Sequence, residues 1–194
     1  MPRLIPPVIP PGSLNGLTQP DLEVDERWYL RPWTRDDVGV VVSAYRDADI
    51  FWWMPYSYDE AEAAQVIDTW NEEWRQETGA CWAMAKRSDN SAFGRVAVQS
   101  VDFISGSADV AYWVLRESRG QGFAPLALTA LCEWAFNHLG LHRMQLLHSV
   151  RNRSSCRVAE KAGFELEAVL KSDALYRDGW HDSHLHVRLR PSQF

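Results

Sequence analysis

The first segment whose residue types could do chemistry is a short glycine-containing stretch, Arg119–Ala124, with the sequence RGQGFA. Its apolar and polar pattern predicts a strand that ends at Leu115 and a helix that begins at Pro125, so the stretch joins a strand end to a helix start. Glycines let a backbone approach a ligand closely, and the first N–H groups of a helix have no intrahelical acceptor. Such a turn can hold a phosphate group through its amides and the helix dipole.

Two better-known phosphate motifs are excluded. A GxGxxG motif needs a third glycine where Pro125 stands, and no GxxxxGK[ST] occurs in the chain. Neither a Rossmann site nor a P-loop is therefore supported. Taken alone, the stretch also fits a tight turn that uses glycine only for its geometry.

Composition limits the classes of protein to consider. The 194 residues support one domain, and the formal net charge of −6 argues against a nucleic-acid partner bound through bulk positive charge. Three cysteines in no CxxC pair (Cys81, Cys132 and Cys156) favour a reducing, cytoplasmic compartment. Neither a signal peptide nor an apolar run of the roughly 18 residues of a membrane span is present, so no membrane association is expected.

The elements that must position the glycine stretch follow from hydrophobic periodicity and turn residues. They predict an α+β fold in the order β-α-α-β-β-β-α-β-α-β-β, with a mixed sheet flanked by helices. The predicted strands are Glu26–Trp33, Cys81–Lys86, Phe93–Phe103, Ala108–Leu115, His142–Val150, Phe164–Tyr176 and Trp180–Leu189. The predicted helices run from Thr34 to about Asp47, from Ser57 or Asp59 to about Glu77, from Pro125 to Leu139 and from Asn152 to Ala162.

Residues 1–22 hold more than half of the ten prolines and show neither helical nor strand periodicity. We predict an extended leader outside the main core, followed by one domain over residues 23–194. Its apolar residues suggest that it lies against the domain or a partner subunit, and a poorly ordered terminus is the alternative.

Several motifs occur together in a fixed order along the chain. They are Leu30-Arg31-Pro32, Ala111-Tyr112-Trp113, Arg119-x-x-Gly122-x-Ala124, Gly140-Leu141-His142-Arg143, Asn152-Arg153-Ser154-Ser155, Glu160-Lys161-Ala162-Gly163-Phe164 and the hairpin Tyr176–Asp182. In this combination, from about Glu26 to Leu189, the chain resembles the GCN5-related N-acetyltransferases (GNAT), and most closely their RimJ/RimL-like branch. The resemblance implies a GNAT-type, mostly antiparallel sheet and an acyltransferase that uses acetyl-CoA as co-substrate.

The resemblance also assigns residues to the cofactor. The pyrophosphate is expected on the amides of the glycine stretch, and the pantetheine arm is expected to pair with the preceding strand like an added strand. Asn152 and Ser155 are expected to flank the arm or the thioester. The full predicted cofactor set is Tyr112, Val114, Leu115, Arg119, Gly120, Gln121, Gly122, Phe123, Ala124, Asn152 and Ser155.

Acyl transfer from a thioester to an amine needs a donor for the oxyanion, a partner for the leaving sulfur and an acceptor for the amine proton. The resemblance points to the backbone N–H of Val114 for the oxyanion. Many relatives carry a tyrosine at the position of Ala159, so Ser155 becomes the candidate to hydrogen-bond the sulfur. Asp109 is the candidate base, acting through a water, and the weaker candidates are Glu60, Glu62, Asp182 and His184.

Aromatic residues predict where the amine that accepts the acetyl group binds. We predict that Trp52, Trp53 and Tyr56, in a connector between two helices, form the acceptor pocket together with Trp113. Four other tryptophans are predicted to pack in the core: Trp70, Trp74, Trp82 and Trp134.

The segment His181-x-x-His184-x-His186 raises the question of a metal, since imidazoles suit zinc. On a strand, His184 and His186 share a face and His181 lies on the other. Because the sequence shows no fourth ligand and the resembling family needs no metal, no metal site is predicted. Cys156 is interpreted as a structural cysteine.

These observations predict an acetyl-CoA-dependent N-acetyltransferase that acts on a primary amine, in first place an α-amino group of a protein or peptide. The alternatives are acylation of a small amine such as an antibiotic or metabolite, use of another acyl-CoA, and a CoA-binding module without turnover. A homodimer is compatible with the aromatic surface and the proline-rich leader.

Overall fold

The computed structural model describes residues 5–191 as one eight-stranded sheet with helices on both faces. The first four residues of the predicted leader lie outside the described part. The strands are β1 (Leu22–Glu23), β2 (Trp28–Pro32), β3 (Ala80–Lys86), β4 (Ala92–Asp102), β5 (Ser107–Val114), β6 (Arg143–Ser149), β7 (Glu165–Tyr176) and β8 (Gly179–Leu189). The helices are α1 (Val38–Arg46), α2 (Ala48–Trp53), α3 (Glu60–Arg75), α4 (Phe123–Trp134) and α5 (Arg153–Lys161), and α4 continues as a π-helical turn over Ala135–Leu139.

The strand order is β1-β2-β3-β4-β5-β6-β8-β7, and every neighbouring pair is antiparallel except β5 and β6. The predicted fold class, a mixed and mostly antiparallel sheet flanked by helices, is therefore confirmed. The parallel pairing of β5 and β6 covers only Ser107–Asp109 against Arg143–Gln145. Beyond this point β5 stays with β4 and β6 stays with β8, so the sheet opens between β5 and β6.

Each face of the sheet has its own core. Leu128 and Leu131 of α4 pack on one face, and Val41 of α1 and Ile67 of α3 pack on the other. The four tryptophans predicted to lie in the core (Trp70, Trp74, Trp82 and Trp134) are all buried. This confirms that much of the unusual tryptophan content serves packing.

Local signals explain where two helices begin. Asp59 accepts a hydrogen bond from the N–H of Glu62 at 2.8 Å, and the Glu62 carboxylate accepts one from the N–H of Asp59 at 2.9 Å. This reciprocal pair satisfies amides that the first turn of α3 leaves unpaired. At the start of α5, Oδ1 of Asn152 accepts from the N–H of Ser155 at 3.1 Å, which fixes the position of that serine.

Three predictions about local structure were wrong. Trp52 and Trp53 lie in helix α2 rather than in a connector, because the Asp47 carboxylate caps the N–H groups of Asp49 and Ile50. Helix α4 begins at Phe123 rather than at Pro125. The first turn of the helix tolerates this proline because the N–H groups there have no intrahelical acceptor to lose. The short strand β1 was not predicted.

The leader lies against the domain over its described residues. The N–H groups of Val8 and Ile9 donate to the carbonyls of Ile104 and Phe103, at 3.2 and 3.0 Å. Ile9 and Leu14 are buried in the core next to α4, so the prediction of a leader outside the main core was wrong for these residues. Burial of these two side chains supplies the hydrophobic energy that holds the segment in place.

None of the helices formed by residues 5–191 combines the length and the apolar character that crossing a bilayer requires.

Candidate active site

A cavity of about 550 Å³ lies where β5 and β6 separate. Its walls come from the end of β5, the glycine stretch with the start of α4, the start of α5, and the end of α2. All residues of the predicted cofactor set line it except Leu115 and Gln121. Within this set the tertiary structure brings together groups that are 43 residues apart in sequence, Tyr112 and Ser155.

The glycine stretch presents its amides to this cavity. Gly120 and Gly122 adopt positive φ angles of 78° and 81°, which turn the chain into α4. Among residues 5–191, the N–H groups from Gly120 to Ala124 donate no hydrogen bond to a protein acceptor. The Phe123 ring packs on the rings of Trp28 and Phe93, at 5.3 and 4.7 Å between centroids, and anchors the stretch to the sheet. The cavity therefore has a rigid set of unpaired donors at a helix N-terminus, suited to an anion.

Arg119 lines the cavity, and its side chain is also bound to other residues of the protein. Its guanidinium forms ion pairs with Asp47 at 3.1 Å and Asp49 at 2.7 Å, and its Nε donates to the carbonyl of Val114 at 2.9 Å. Burial opposes ionisation of Asp47, but the hydrogen bonds from Arg119 and from two backbone amides keep the pKa of this carboxyl below its ordinary value. Arg119 thus ties the end of β5 to the start of α2.

The backbone of β5 offers an unpaired edge. The N–H of Leu115 donates to the carbonyl of Phe93 on the β4 side, at 2.9 Å. Bonding directions alternate along an antiparallel pair, so the N–H groups of Val114 and Tyr112 point to the other side, into the opening toward β6. Val114 has the orientation that the predicted oxyanion donor requires.

Tyr112 and Ser155 form a hydroxyl pair across the cavity, with 2.8 Å between Oη and Oγ. Burial raises the pKa of Tyr112 to about 12, so its hydroxyl stays protonated at neutral pH. From the sequence we expected a tyrosine on α5, where Ala159 stands, and we did not predict that the Tyr112 hydroxyl contacts Ser155. Ala159 is fully buried, whereas Tyr112 reaches Ser155 from the neighbouring strand.

The predicted bases lie away from this pair. Asp109 marks the last residue of β5 that pairs with β6, and it does not line the cavity. Burial raises the pKa of its carboxyl above the ordinary value. Glu62 is part of the α3 cap, Asp182 forms an ion pair with Lys171 at 2.7 Å, and neither these nor Glu60 and His184 line the cavity.

The predicted acceptor aromatics divide into two groups. Trp53 lines the cavity and its ring lies 5.6 Å from that of Tyr176, and Trp113 lines it too, although it is almost fully buried. Trp52 and Tyr56 are 40% and 60% exposed and lie outside the cavity walls.

Two cations on α5 were not singled out from the sequence. Arg157 and Lys161 are one helical turn apart and both line the cavity. Their spacing of four residues on a helix was the signal that they share a face. They add positive charge to the anion site of an otherwise acidic protein.

A family model described as an acetyltransferase (GNAT) domain matches residues 27–165. The chain belongs to the GNAT acetyltransferase family. Its resemblance to the RimJ/RimL-like branch is confirmed by relatives named as ribosomal N-acetyltransferases.

A curated relative from Escherichia coli (strain K12), named ribosomal-protein-serine acetyltransferase, is 29% identical over 105 residues, which cover 54% of this chain and 59% of that protein. The chain thus spans little more than half the length of the curated relatives that match at about 30% identity.

Solved structures share the fold. RimL, a ribosomal L7/L12 alpha-N-protein acetyltransferase solved with coenzyme A, matches with a TM-score of 0.80 at 19% identity, over 88% of this chain and 98% of that one. The microcin C7 self-immunity acetyltransferase MccE, solved with acetyl-CoA and AMP, matches with a TM-score of 0.79 at 17% identity, over 89% and 98%.

Proposed function

We propose that this GNAT protein transfers the acetyl group of acetyl-CoA to a primary amine, an α-amino group of a protein or peptide, by direct attack of the amine on the thioester. The observation that carries the proposal is the cavity between β5 and β6, which joins unpaired amides at one end to the Tyr112–Ser155 hydroxyl pair at the other. The coenzyme in RimL and the names of the ribosomal-protein relatives support it.

In this proposal the CoA pyrophosphate lies on the N–H groups of Gly120–Ala124 at the start of α4. Arg157 and Lys161 supply the charge that compensates its phosphates. The pantetheine amides pair with the free edge of β5, as an added strand pairs with the edge of a sheet. This orientation leads the thioester toward Val114 and Ser155.

The reaction forms a C–N bond and breaks the C–S bond of the thioester. The amine nitrogen attacks the thioester carbonyl carbon, and the N–H of Val114 stabilises the oxyanion that develops. Collapse of the tetrahedral species breaks the C–S bond, and CoA leaves as a thiolate. The amine gives its proton to a water, and the thiolate takes a proton from solvent. Asp109, the acceptor that we predict, does not line the cavity, so the amine proton reaches its carboxylate along a chain of waters.

The hydroxyl pair stabilises the leaving sulfur without protonating it fully. A hydroxyl with a pKa of about 12 does not transfer its proton to a thiolate whose conjugate acid has a pKa of about 8.5. Tyr112 instead donates to Ser155 Oγ, and the Ser155 hydroxyl donates to the sulfur. Both are positioned for this by the 2.8 Å contact and by the Asn152 cap.

For the acceptor, the Trp53 ring, which lines the cavity and packs edge-on against Tyr176 outside it, offers an apolar surface. A small amine is the alternative acceptor, since the proteins that share this fold include the microcin C7 self-immunity acetyltransferase MccE, solved with acetyl-CoA and AMP. The free cysteines agree with action in the reducing cytoplasm, and a homodimer stays a prediction.

The experiment measures free CoA thiol released from acetyl-CoA with two panels, one of peptides with free N-termini and one of small amines. Turnover confined to peptides supports the proposal, and the same peptides with blocked N-termini should be inactive. Turnover confined to small amines replaces the proposed acceptor. CoA binding without turnover on either panel refutes the enzymatic proposal.

A further inference from the structure

Four metal-type donor groups meet beside the active site without forming part of it. They are His148 from β6, Cys156 from α5, and His184 and His186 from β8, and one donor atom from each lies within 4.8 Å of the others. They come from three elements that the sheet and α5 bring together. The prediction of no metal rested on the lack of a fourth ligand in the sequence and on a resembling family that needs no metal. The tertiary structure adds two potential ligands, His148 and Cys156, to His184 and His186.

The ring of His148 is oriented as a ligand. Its Nδ1 lies 2.8 Å from the carbonyl of Ser149, and because a carbonyl only accepts, Nδ1 carries the proton. Nε2 therefore holds a free lone pair, and it is buried without a hydrogen-bond partner among residues 5–191. A carbonyl that fixes the tautomer while the other nitrogen faces inward is typical of metal-binding histidines.

The donor distances fit a small tetrahedral ion. Sγ of Cys156 lies 3.7 Å from Nε2 of His186 and 3.9 Å from Nδ1 of His184. Bonds of 2.3 Å to sulfur and 2.0–2.1 Å to nitrogen place the two ligand atoms about 3.5 Å apart in a tetrahedron. The remaining pairs of donor atoms lie within 4.8 Å of one another, and the stacked rings of His148 and His186 must turn to bring their nitrogens onto one ion. Sγ also lies 3.6 Å from the carboxylate of Glu160.

The cluster is not satisfied by its own hydrogen bonds. Within the described part of the chain, Nε2 of His148 has no hydrogen-bond partner, and a metal ion would supply one. Buried polar groups without partners are rare and costly. By contrast, His181 from the same sequence segment is fully engaged, with Ser149, Arg151 and Asp178.

We propose that His148, Cys156, His184 and His186 form a four-coordinate Zn²⁺ site. One thiolate and three imidazoles suit zinc, whereas magnesium and calcium prefer oxygen ligands. Binding forms the Cys156 Sγ–Zn bond and releases the thiol proton to solvent. Four protein ligands leave no open position, so the ion is structural and ties the first turn of α5, which carries Ser155, to β6 and β8.

The test uses the tag-free full chain after removal of metal, titrated with Co²⁺ as a spectroscopic substitute for Zn²⁺. We expect one equivalent bound, with tetrahedral visible bands, a thiolate-to-cobalt charge-transfer band, and displacement by Zn²⁺. Cys156→Ser should abolish the charge-transfer band and weaken Co²⁺ affinity by more than about 100-fold, since loss of a group that only orients a ligand already costs about 10–100-fold. His138→Gln, at an exposed histidine outside the cluster, should bind like the parent.

Thermal unfolding shows whether Cys156→Ser folds normally and whether Zn²⁺ stabilises the protein. In chelator the parent and Cys156→Ser should unfold at the same temperature, and added Zn²⁺ should raise the value for the parent alone. Absence of stoichiometric binding, or equal binding by Cys156→Ser, overturns the proposal. The readout is metal binding, so the result is independent of whether the protein acetylates any amine.

Discussion

The Tyr112–Ser155 pair gives the sharpest prediction about catalysis. If the Ser155 hydroxyl donates to the leaving thiolate, Ser155→Ala removes a hydrogen bond to a charged group, worth about 1.5–3 kcal/mol. With tenfold per 1.36 kcal/mol, kcat should fall by about 10- to 150-fold. KM for acetyl-CoA should change little, because the bond forms to the charge that develops as the C–S bond breaks.

Tyr112→Phe tests whether the pair acts as one unit. Tyr112 reaches the sulfur only through Ser155 in our proposal, so removal of its hydroxyl should lower kcat by no more than Ser155→Ala does. In the double variant, kcat should equal that of Ser155→Ala, because Tyr112 has lost the group through which it acts. Ser88→Ala, in the turn between β3 and β4, and Tyr29→Phe, on β2, are matched controls at residues that do not line the cavity, and both should retain the parent kcat.

The assay is steady-state release of CoA thiol, with single-turnover measurements to separate chemistry from product release. An unchanged kcat in Ser155→Ala removes this serine from the mechanism. Multiplicative effects of the two single changes show that the hydroxyls act separately, which contradicts the relay.

Three further predictions concern the loop, the leader and alkaline stability. Gly122→Ala should lower CoA affinity by about tenfold in calorimetry, because the positive φ strains alanine by about 1–2 kcal/mol and the new methyl group stands among the phosphate-facing amides. The control is Gly16→Ala, which has a similar φ and open space around it and should leave the affinity for CoA unchanged. Ile9→Ala should cost about 2–5 kcal/mol of unfolding free energy in urea titrations, against almost nothing for Ile5→Ala, and equal values would show that the leader is not part of the core. Burial raises the pKa of Cys132 from 9.0 to about 12 and that of Cys81 to about 11, so both thiols ionise first in the unfolded chain, and each lowers stability by up to about 1.4 kcal/mol per pH unit above pH 9. Cys132→Ala should remove its own part of this slope in urea unfolding from pH 8 to 10.5, and an unchanged slope would contradict the assignment.

Local signals in the sequence predicted much of the fold. The period of apolar residues predicted seven of the eight strands, Asn152 marked the start of α5, and Asp59 was one of two predicted starts of α3, the other being Ser57. These features depend on a residue and its neighbours within one turn or one strand, so they can be identified without tertiary information. Helix α2 was missed because its capping residue, Asp47, had been assigned to the end of the preceding helix.

The candidate site was predicted as a set of positions but not as a set of contacts. The loop, the edge of β5 and Ser155 were named from the sequence, and they line one cavity. The partner of Ser155 could not be named, because Tyr112 meets it from a strand 43 residues away. The same holds for Arg119, whose pairing with Asp47 and Asp49 depends on where α2 packs.

The sequence by itself determined the family motifs and the glycine turn whose amides suit an anion, and its net charge of −6 argued against a nucleic-acid partner bound through bulk positive charge. Only the tertiary structure decided which side chains face one another: the hydroxyl pair, the α5 cations in the cavity, and the cluster of His148, Cys156, His184 and His186. The physical reason is that backbone conformation follows from neighbouring residues, whereas hydrogen bonds and ligand sets form between elements whose proximity is set by packing of the whole core.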